Sequence, residues 1–200
     1  MKVLFVRHGK DDDSYRGGWS SMDLVSEGVM QAKRLAKHLK EHQAHYGIAQ
    51  ILSSDLQRAV STANYIAAEL NLAVHPTSQL REINNGDLAG ILNDIAQVQY
   101  PGLFFSSLDM NQSYPNGESP IEFYTRIQCW FSDFSSTHHN TNDNVLVITH
   151  GGVINIIYHL VKKIEWSNKN RAFKADNCSI HMLNMDTMKF EIENYTDYSA

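Results

Sequence analysis

Segments with the apolar pattern of a strand alternate along the chain with segments that have the apolar pattern of an amphipathic helix. Short apolar runs bounded by turn residues predict strands, and apolar residues three and four positions apart predict amphipathic helices. The predicted strands are MKVLFVR, AQILSS, LAVHPT, NVLVITH and a closing pair, SIHMLNM and MKFEIEN. The predicted helices run from Ser26 to about His45, Asp55 to Leu70, Ser119 to about Ser135 and Gly152 to Val161. This alternation predicts an α/β fold, a three-layer α/β/α sandwich with a mostly parallel central sheet.

The segment at residues 91–118 has neither pattern and interrupts this alternation. We expect it to form a small cap or lid on a single domain that spans residues 1–200, because that length suits one domain of ordinary size. Its aromatic stretch YPGLFFSSLDMNQSY fits either a packed cap without a substrate role or a wall of the substrate pocket. Trp19 either borders the same entrance or anchors a surface loop.

Three predicted helix starts carry a serine in a capping position. Ser54 precedes Gln57 by three residues, and Ser119 precedes Glu122 by three, which is the spacing of a capping box. Ser26 stands before the first helix and is expected to cap it. These signals support sharp turns into the helices.

Composition places the chain among soluble globular proteins, with 42% hydrophobic and 20% charged residues. No apolar run approaches the roughly 18 residues that cross a membrane, and the apolar start is too short for a signal peptide. The two cysteines, Cys129 and Cys178, have no disulfide or zinc spacing and indicate buried, reduced thiols. A net charge of −5 without a basic stripe disfavours nucleic acid. We therefore expect a cytoplasmic protein that binds neither nucleic acid nor membrane.

Reactive side chains recur at the ends of the predicted strands. The first strand ends in Arg7 and His8, and the NVLVITH strand ends in His150. Arg58 lies one turn into the helix after the second strand, and Glu82 follows the third strand. Because ligands bind beyond the carboxyl ends of parallel strands, we expect these five side chains to meet at one rim of the sheet.

Two arginines, two histidines and a glutamate suit phosphoryl transfer. Arginine presents a planar cation that matches phosphate oxygens, and a helix start adds free N–H groups. A neutral histidine can attack phosphorus, and a glutamate can protonate the leaving oxygen. Glycines follow both histidines and let the backbone approach an anion closely. The carboxylates and histidines of this rim lack metal-ligand spacing, so we expect no cofactor and assign the neutralising charge to the arginines.

Five segments resemble signature motifs of the histidine phosphatase superfamily, also called the phosphoglycerate mutase-like family. They are VRHGK, SSDLQRAVSTA, LREINNGDLAG, NGES and VLVITHGGVI, in family order along nearly the whole chain. The NGES segment resembles a turn of its small bacterial phosphatases. The resemblance implies the phosphoglycerate mutase-like fold and a role for each residue of the rim. These are His8 as the phosphorylated nucleophile, Arg7, Arg58, His150 and backbone N–H groups near Gly151 as the phosphate pocket, and Glu82 as the proton donor and then the base that activates water.

The chain departs from the family pattern directly after Arg-His-Gly, where it reads Lys10, three aspartates and Ser14. We expect the aspartates at 11–13 to turn outward, away from a bound phosphate. Ser14 is expected to replace a polar phosphate contact that relatives make with other residues. A second departure is the pair Asn84 and Asn85, where relatives often carry an aromatic residue or a histidine, and it affects substrate contacts rather than the phosphate pocket.

The residues after the glutamate distinguish two reactions. From Glu82 to Thr125 the chain has no lysine, arginine or histidine, whereas relatives with mutase activity carry a longer basic insertion there. We therefore predict metal-independent hydrolysis of a small-molecule phosphomonoester whose organic part is not strongly anionic. Two alternatives stay open: cofactor-dependent phosphoglycerate mutase chemistry, and a catalytically silent module that binds a phosphorylated ligand. A homodimer is an open alternative to a monomer.

Other candidate residues also have structural interpretations. His38, His42 and His45 share one helix face at a spacing that could hold a metal, but no further ligand completes a site, so a solvated face is favoured. Glu82 could instead form a surface ion pair with its neighbour Arg81.

Overall fold

The computed structural model describes residues 1–138 and 143–198. Its strands are β1 Lys2–Arg7, β2 Ile48–Ser54, β3 Val74–Thr77, β4 Asn144–Thr149, β5 Ile180–Asn184 and β6 Lys189–Tyr195. Its helices are α1 Ser26–Glu41, α2 Gln43–Tyr46, α3 Gln57–Leu70, α4 Asn93–Gln99, α5 Pro120–His138 and α6 Gly151–Lys162. The strands and long helices match the predicted elements to within a few residues.

One six-stranded sheet, in the order β3-β2-β4-β1-β5-β6, forms the centre of the fold. The first four of these strands are parallel, and β5 and β6 continue the sheet as an antiparallel hairpin. The predicted α/β fold with a mostly parallel sheet is confirmed. The parallel arrangement brings the carboxyl ends of β1, β2 and β4 to the same edge.

The buried run Val3–Val6 in β1 shows that helices cover both faces of the sheet. Successive side chains of a strand point to opposite faces, so Val3 and Phe5 pack in one core, and Leu4 and Val6 pack in the other. Residues of α5 and α6 complete the first core, and residues of α1 and α3 complete the second. A strand in this position is apolar throughout because neither of its faces meets water.

The three predicted serine caps have different outcomes. At α5 the capping box forms, because Glu122 N–H donates to Ser119 Oγ at 3.3 Å and Ser119 N–H donates to the Glu122 carboxylate at 2.8 Å. The other two predictions are wrong. Ser26 is the first residue of α1 and makes no side-chain cap. Ser54 is the last residue of β2, and α3 begins only at Gln57.

Residues 91–118 contain α4 and a 3₁₀ turn at Phe105–Ser107. Leu108 and Tyr114 are buried in the core that α5 and α6 complete, whereas Val98 is exposed. The C-terminal half of the segment is therefore anchored to the domain. Its function as a cap or lid stays a prediction.

Two findings concern the membrane and thiol predictions. Within the described ranges, no helix is both long and apolar enough to cross a membrane. Cys178 is buried and Cys129 is exposed, and both are free thiols, so the expectation of burial is wrong for Cys129.

Candidate active site

A cavity of about 670 Å³, hereafter the main cavity, opens at the carboxyl edge of the parallel strands. Arg7, His8, Arg58 and Glu82 line it, and a side cavity of about 450 Å³ shares three of these residues. His150 is fully buried next to them, with its ring centre 5.0 Å from that of His8. The structure therefore brings together the five side chains of the predicted rim.

The loop after β1 is fixed by close backbone packing. A side chain at Gly9 would overlap the carbonyl oxygen of Gly28 in the first turn of α1. The loop and the helix backbone approach each other this closely only because both residues are glycine. Gly9 N–H also donates to Thr62 Oγ1 at 3.0 Å, and Thr62 Oγ1 donates to the Arg58 carbonyl oxygen at 2.8 Å. The loop is thereby tied to both α1 and α3.

The imidazole of His8 is held in one tautomer. Its Nδ1 lies 2.7 Å from the Gly9 carbonyl oxygen, which can only accept, so Nδ1 carries the proton and Nε2 presents a lone pair. Arg58 Nε donates to that Nε2 at 3.2 Å. Burial, followed by the positive charges of Arg58 and Arg7, holds the pKa of His8 well below its usual range. His8 is therefore a neutral imidazole with its nucleophilic nitrogen among cations.

Arg58 lies in the first turn of α3 and is only 2% exposed. One terminal nitrogen donates to the Gly18 carbonyl oxygen at 2.8 Å, and the other lies 3.4 Å from Ser20 Oγ. The first of these nitrogens also lies 3.3 Å from His150 Nδ1. Burial lowers the pKa of Arg58 from its ordinary value, but a guanidinium keeps its charge in proteins. Its positive charge therefore stands between the two histidines.

Arg7 is the last residue of β1, and its guanidinium uses only part of its donor capacity. Nη1 donates to the Ala175 carbonyl oxygen at 2.8 Å. Nε is buried and has no hydrogen-bond partner in the part of the chain that the structure describes. A buried donor without a partner is rare in proteins, and beside His8 it is suited to a phosphate oxygen.

His150 directly follows β4 and precedes α6. Because Arg58 can only donate, His150 Nδ1 accepts, and Nε2 carries the proton that it donates to Ser54 Oγ at 2.8 Å. Burial and then the nearby Arg58 charge hold the pKa of His150 well below its usual range. The hydroxyl predicted to cap α3 thus orients this second neutral histidine.

The Glu82 carboxylate is held at the start of α6. Its Oε2 accepts from Gly152 N–H at 2.9 Å and its Oε1 from Ile83 N–H at 3.1 Å. A methyl group at Gly152 would overlap Glu82 Oε1, so the glycine leaves the space that the carboxylate occupies. Arg81 donates to Asp55 at 2.6 and 2.7 Å, so the alternative of an Arg81–Glu82 surface pair is wrong.

The backbone of Glu82 is supported by two further side chains. Trp19 Nε1 donates to the Glu82 carbonyl oxygen at 2.7 Å, and Arg126 donates to the same oxygen at 3.1 Å. Arg126 also makes a two-bond ion pair with Glu118, at 2.8 and 2.9 Å. Trp19 does not line the main cavity, and its half-buried indole ties its own loop to the loop that carries Glu82, which agrees with the alternative of an anchoring aromatic.

The run after Arg-His-Gly differs from expectation at Asp11. Asp11 Oδ2 lies 3.4 Å from Arg58 Nε, so the expectation that all three aspartates turn outward is wrong, because a buried cation attracts this one. Ser14 is exposed and donates through its hydroxyl to Asp12 at 2.6 Å, and the structure does not bring it to the main cavity. Gly151 does line that cavity, and its N–H belongs to the helix turn that lacks intrahelical acceptors.

Three further cations, which no sequence pattern predicts, line the main cavity: Arg16, Lys169 and Arg171. They lie in irregular connections, before α1 and between α6 and β5, where neither periodicity nor a motif marks them. Because these cations lie outside residues 82–125, the absence of basic residues from that range does not indicate a weakly anionic substrate. Their positive charge is the only sequence signal that could have marked these three residues as candidates for an anion site.

The helix-face histidines pack against an aromatic side chain. His38 Nε2 lies 3.0 Å from the Tyr46 hydroxyl, and His42 Nδ1 donates to the His38 carbonyl oxygen at 2.9 Å. In the described residues there is no group of three or more His, Cys, Asp or Glu side chains that could hold a metal ion. His42 and His45 are exposed.

The fold and the site together define an α/β protein that surrounds a neutral, buried histidine with cations at the carboxyl edge of its sheet. The model of the histidine phosphatase superfamily (branch 1) matches residues 3–198. The chain belongs to this superfamily.

Three similar proteins illustrate the range of the superfamily. Phosphoglycerate mutase-like protein 4 of Arabidopsis thaliana is 30% identical, over 99% of this chain and 86% of its own length. Phosphoserine phosphatase 1 of Hydrogenobacter thermophilus is 28% identical, over 93% of this chain and 87% of its own. The structure of the alpha-ribazole phosphatase from Shigella flexneri superposes with a TM-score of 0.80 at 21% identity, over 100% of this chain and 98% of that one. The last comparison shows a shared fold.

Proposed function

We propose that this chain is a metal-independent phosphatase that hydrolyses a small-molecule phosphomonoester through a phosphohistidine on His8. The observation that carries the proposal is the fixed tautomer of His8, whose Nδ1 donates to the Gly9 carbonyl oxygen and leaves the Nε2 lone pair among cations. Arg7, His8, Arg58 and His150 are called the phosphate end of the main cavity from here on.

In the first step, His8 Nε2 attacks phosphorus and the bond from phosphorus to the ester oxygen breaks. The leaving oxygen takes the proton of the Glu82 carboxylic acid, so an alcohol and a phosphohistidine result. Arg7 and Arg58 donate to the phosphoryl oxygens. As substrate binds, the Nε–H group of Arg58 leaves His8 Nε2 and donates to a phosphoryl oxygen instead. Their preorganised positive charges stabilise the charge on the transferring group.

In the second step, the Glu82 carboxylate takes a proton from water and the resulting hydroxide attacks phosphorus. The bond from His8 Nε2 to phosphorus breaks, and the lone pair returns to the imidazole. The hydrogen bond from Gly152 N–H holds Glu82 in one place for both proton transfers. The same side chain therefore acts first as an acid and then as a base.

The experiment that tests this function is a phosphomonoester screen with chelator-treated enzyme, followed by rapid quench with labelled substrate. We expect hydrolysis to persist without metal and an acid-labile, base-stable phosphoenzyme to form. His8→Ala should lose the phosphoenzyme, whereas His75→Ala, at an exposed position on β3, should keep it. Activity that the chelator abolishes would contradict the proposal, and binding without a phosphoenzyme would support the silent module instead.

Mutase chemistry is the second candidate, because the superfamily includes phosphoglycerate mutase-like proteins such as the Arabidopsis relative. It is tested with 3-phosphoglycerate and 2,3-bisphosphoglycerate in the same assay. We expect release of inorganic phosphate to exceed isomerisation. Turnover dominated by bisphosphoglycerate-dependent isomerisation would replace the phosphatase proposal.

A further inference from the structure

One guanidinium of the main cavity is held in place without using its hydrogen-bond donors. The Arg16 guanidinium carbon lies 4.2 Å from the ring centre of Phe104, a residue that is 41% exposed. Stacking on an aromatic ring fixes the plane of a guanidinium and leaves its N–H groups available. Arg16 is thus oriented by Phe104 for an acceptor that comes from elsewhere.

Two structural arginines of the same chain behave differently. Arg81 donates twice to Asp55, and Arg126 donates to Glu118 and to backbone carbonyl oxygens. The Arg16 side chain makes no hydrogen bond or ion pair with any residue in the described ranges, and its Nε is buried. Since unpaired buried donors are rare, the cation is available for a ligand.

The neighbouring wall presents more unpaired polar groups. Asn168 Nδ2 donates to the carbonyl oxygens of Phe105 and Leu108, which fixes its amide, and its Oδ1 is buried without a partner among the described residues. Lys169 Nζ donates to the Leu108 carbonyl oxygen at 2.6 Å, and Lys169 lines the main cavity. Arg171 lines both the main and the side cavity.

The carboxylates of Asp11, Asp12 and Asp13 line the main cavity together with that of Glu82, and none of these four forms an ion pair with Arg16. Asp11 faces Arg58 at 3.4 Å, and Asp12 accepts from the Ser14 hydroxyl. Across the described chain, no carboxylate of residues 11–13 lies within ion-pair distance of Arg16. The positive charge at Arg16 is therefore not cancelled by the acidic run that precedes it.

We infer that Arg16, supported by Lys169 and Arg171, binds a second anionic group on the alcohol part of the substrate. The substrate class is then a phosphomonoester whose leaving alcohol also carries a carboxylate or a second phosphate. Phe104, Arg16, Asn168, Lys169 and Arg171 form the leaving-group end of the main cavity. This inference rests on the proposed function, which places the phosphoryl group of the cleaved ester at the phosphate end and therefore the alcohol part near Arg16.

The test uses four phosphomonoesters with the same three-carbon chain, which end in a carboxylate, a phosphate, an amide or a hydroxyl group. We expect kcat/KM for the two anionic esters to exceed that for the two neutral esters by about 10- to 100-fold. Arg16→Gln should bring the kcat/KM values of the anionic and neutral esters within about twofold of one another, since it removes the contact to the second anion. Comparing kcat/KM for the ester that ends in a carboxylate with that for the ester that ends in a phosphate shows which anion is preferred.

Two further variants separate charge from geometry. Arg16→Lys should keep part of the preference, because it retains the charge but loses the planar fork. Arg34→Gln removes an exposed arginine on α1, outside the main cavity, and should leave the preference unchanged. An Arg16→Gln enzyme with the wild-type preference would overturn the inference.

A binding measurement keeps the inference testable if the proposed hydrolysis fails. Titration calorimetry with 4-phosphonobutanoate and 4-phosphonobutanamide compares a carboxylate with its neutral isostere in compounds that cannot be hydrolysed. We expect tighter binding of the carboxylate to wild type and equal binding of both compounds to Arg16→Gln. Equal binding of both compounds to wild type would overturn the inference, whatever the enzyme hydrolyses.

Discussion

The two ends of the main cavity are built from different parts of the fold. At the phosphate end, His8, Arg58 and His150 are at most 4% exposed and stand where strands end or a helix begins. At the leaving-group end, Arg16 and Phe104 lie in loops and hold each other by stacking. A phosphate looks the same in every substrate, whereas the alcohol differs. Under the proposed function, the sheet would supply the residues for the chemistry, and the loops would supply those that select the alcohol.

Removing the nucleophile is the strongest way to break this comparison. His8→Ala should lower kcat by about 10⁴-fold or more, because it removes the nitrogen that attacks phosphorus in the proposed first step. The factor should be the same for anionic and neutral esters, since the leaving-group end is intact. Steady-state kinetics on both ester classes measure it, with circular dichroism as the check on folding. A factor that depends on the alcohol would show that the two ends are not separate.

Displacing the Glu82 carboxylate without removing it tests whether Glu82 donates the proton to the leaving alcohol. Gly152→Ala places a methyl group where Glu82 Oε1 lies, so we expect kcat to fall by about 10- to 100-fold for esters of poorly leaving alcohols. The fall should be smaller for p-nitrophenyl phosphate, whose leaving group needs no proton. Gly17→Ala, where an added methyl group meets nothing within 4 Å, is the matched substitution and should retain most activity. Equal losses for both kinds of ester would argue against proton donation by Glu82.

The buried histidines make the phosphate end sensitive to acid. Burial holds the pKa values of His8 and His150 well below 6.5 and lowers that of His181, in β5, to about 4. As the pH falls below about 6.5, the unfolded chain binds protons that the folded chain does not, so the free energy of unfolding decreases by up to about 1.4 kcal/mol per pH unit for each histidine. Stability is therefore fully present above this pH and is lost below it.

Urea unfolding between pH 7.5 and 5 measures this slope. His150→Asn removes one of the three histidines named above, so the slope should fall by up to about 1.4 kcal/mol per pH unit. His75→Asn, at an exposed position, should leave it unchanged. A slope that is the same in wild type and His150→Asn would show that His150 is not neutral in the folded protein.

Asp11 gives the smallest expected effect and sharpens the description of the phosphate end. Its carboxylate lies 3.4 Å from Arg58 Nε and opposes an incoming phosphate. Asp11→Asn should lower the inhibition constant of inorganic phosphate by about two- to fivefold, the magnitude typical of a partly exposed pair. Competitive inhibition assays measure it, and Asp13→Asn makes the same charge change at an exposed position of the same loop. Equal shifts in both variants would mean that only the net charge matters.

The phosphate end was predictable from the sequence because strand periodicity fixes where Arg7 and His150 emerge. The parallel sheet then requires those ends to meet, whatever the loops do. Arg16 was not predictable, because its place depends on a loop that packs on Phe104, far away in the sequence. The outward orientation expected for Asp11 failed for a related reason: solvent attracts a carboxylate, but a buried guanidinium attracts it more.

The indole of Trp19 makes the loop that carries Glu82 optically observable. Trp19 donates to the Glu82 carbonyl oxygen, and the guanidinium carbon of Arg81 lies 4.5 Å from the centre of the Trp19 ring. Tryptophan emission depends on such charges and hydrogen bonds, so a shift of this loop changes the fluorescence of the unlabelled protein. Trp166 lines the main cavity, whereas Trp130 is buried in the core. Replacing Trp166 with phenylalanine would leave Trp19 as the reporter near the site, and stopped-flow mixing could then follow the loop during each turnover.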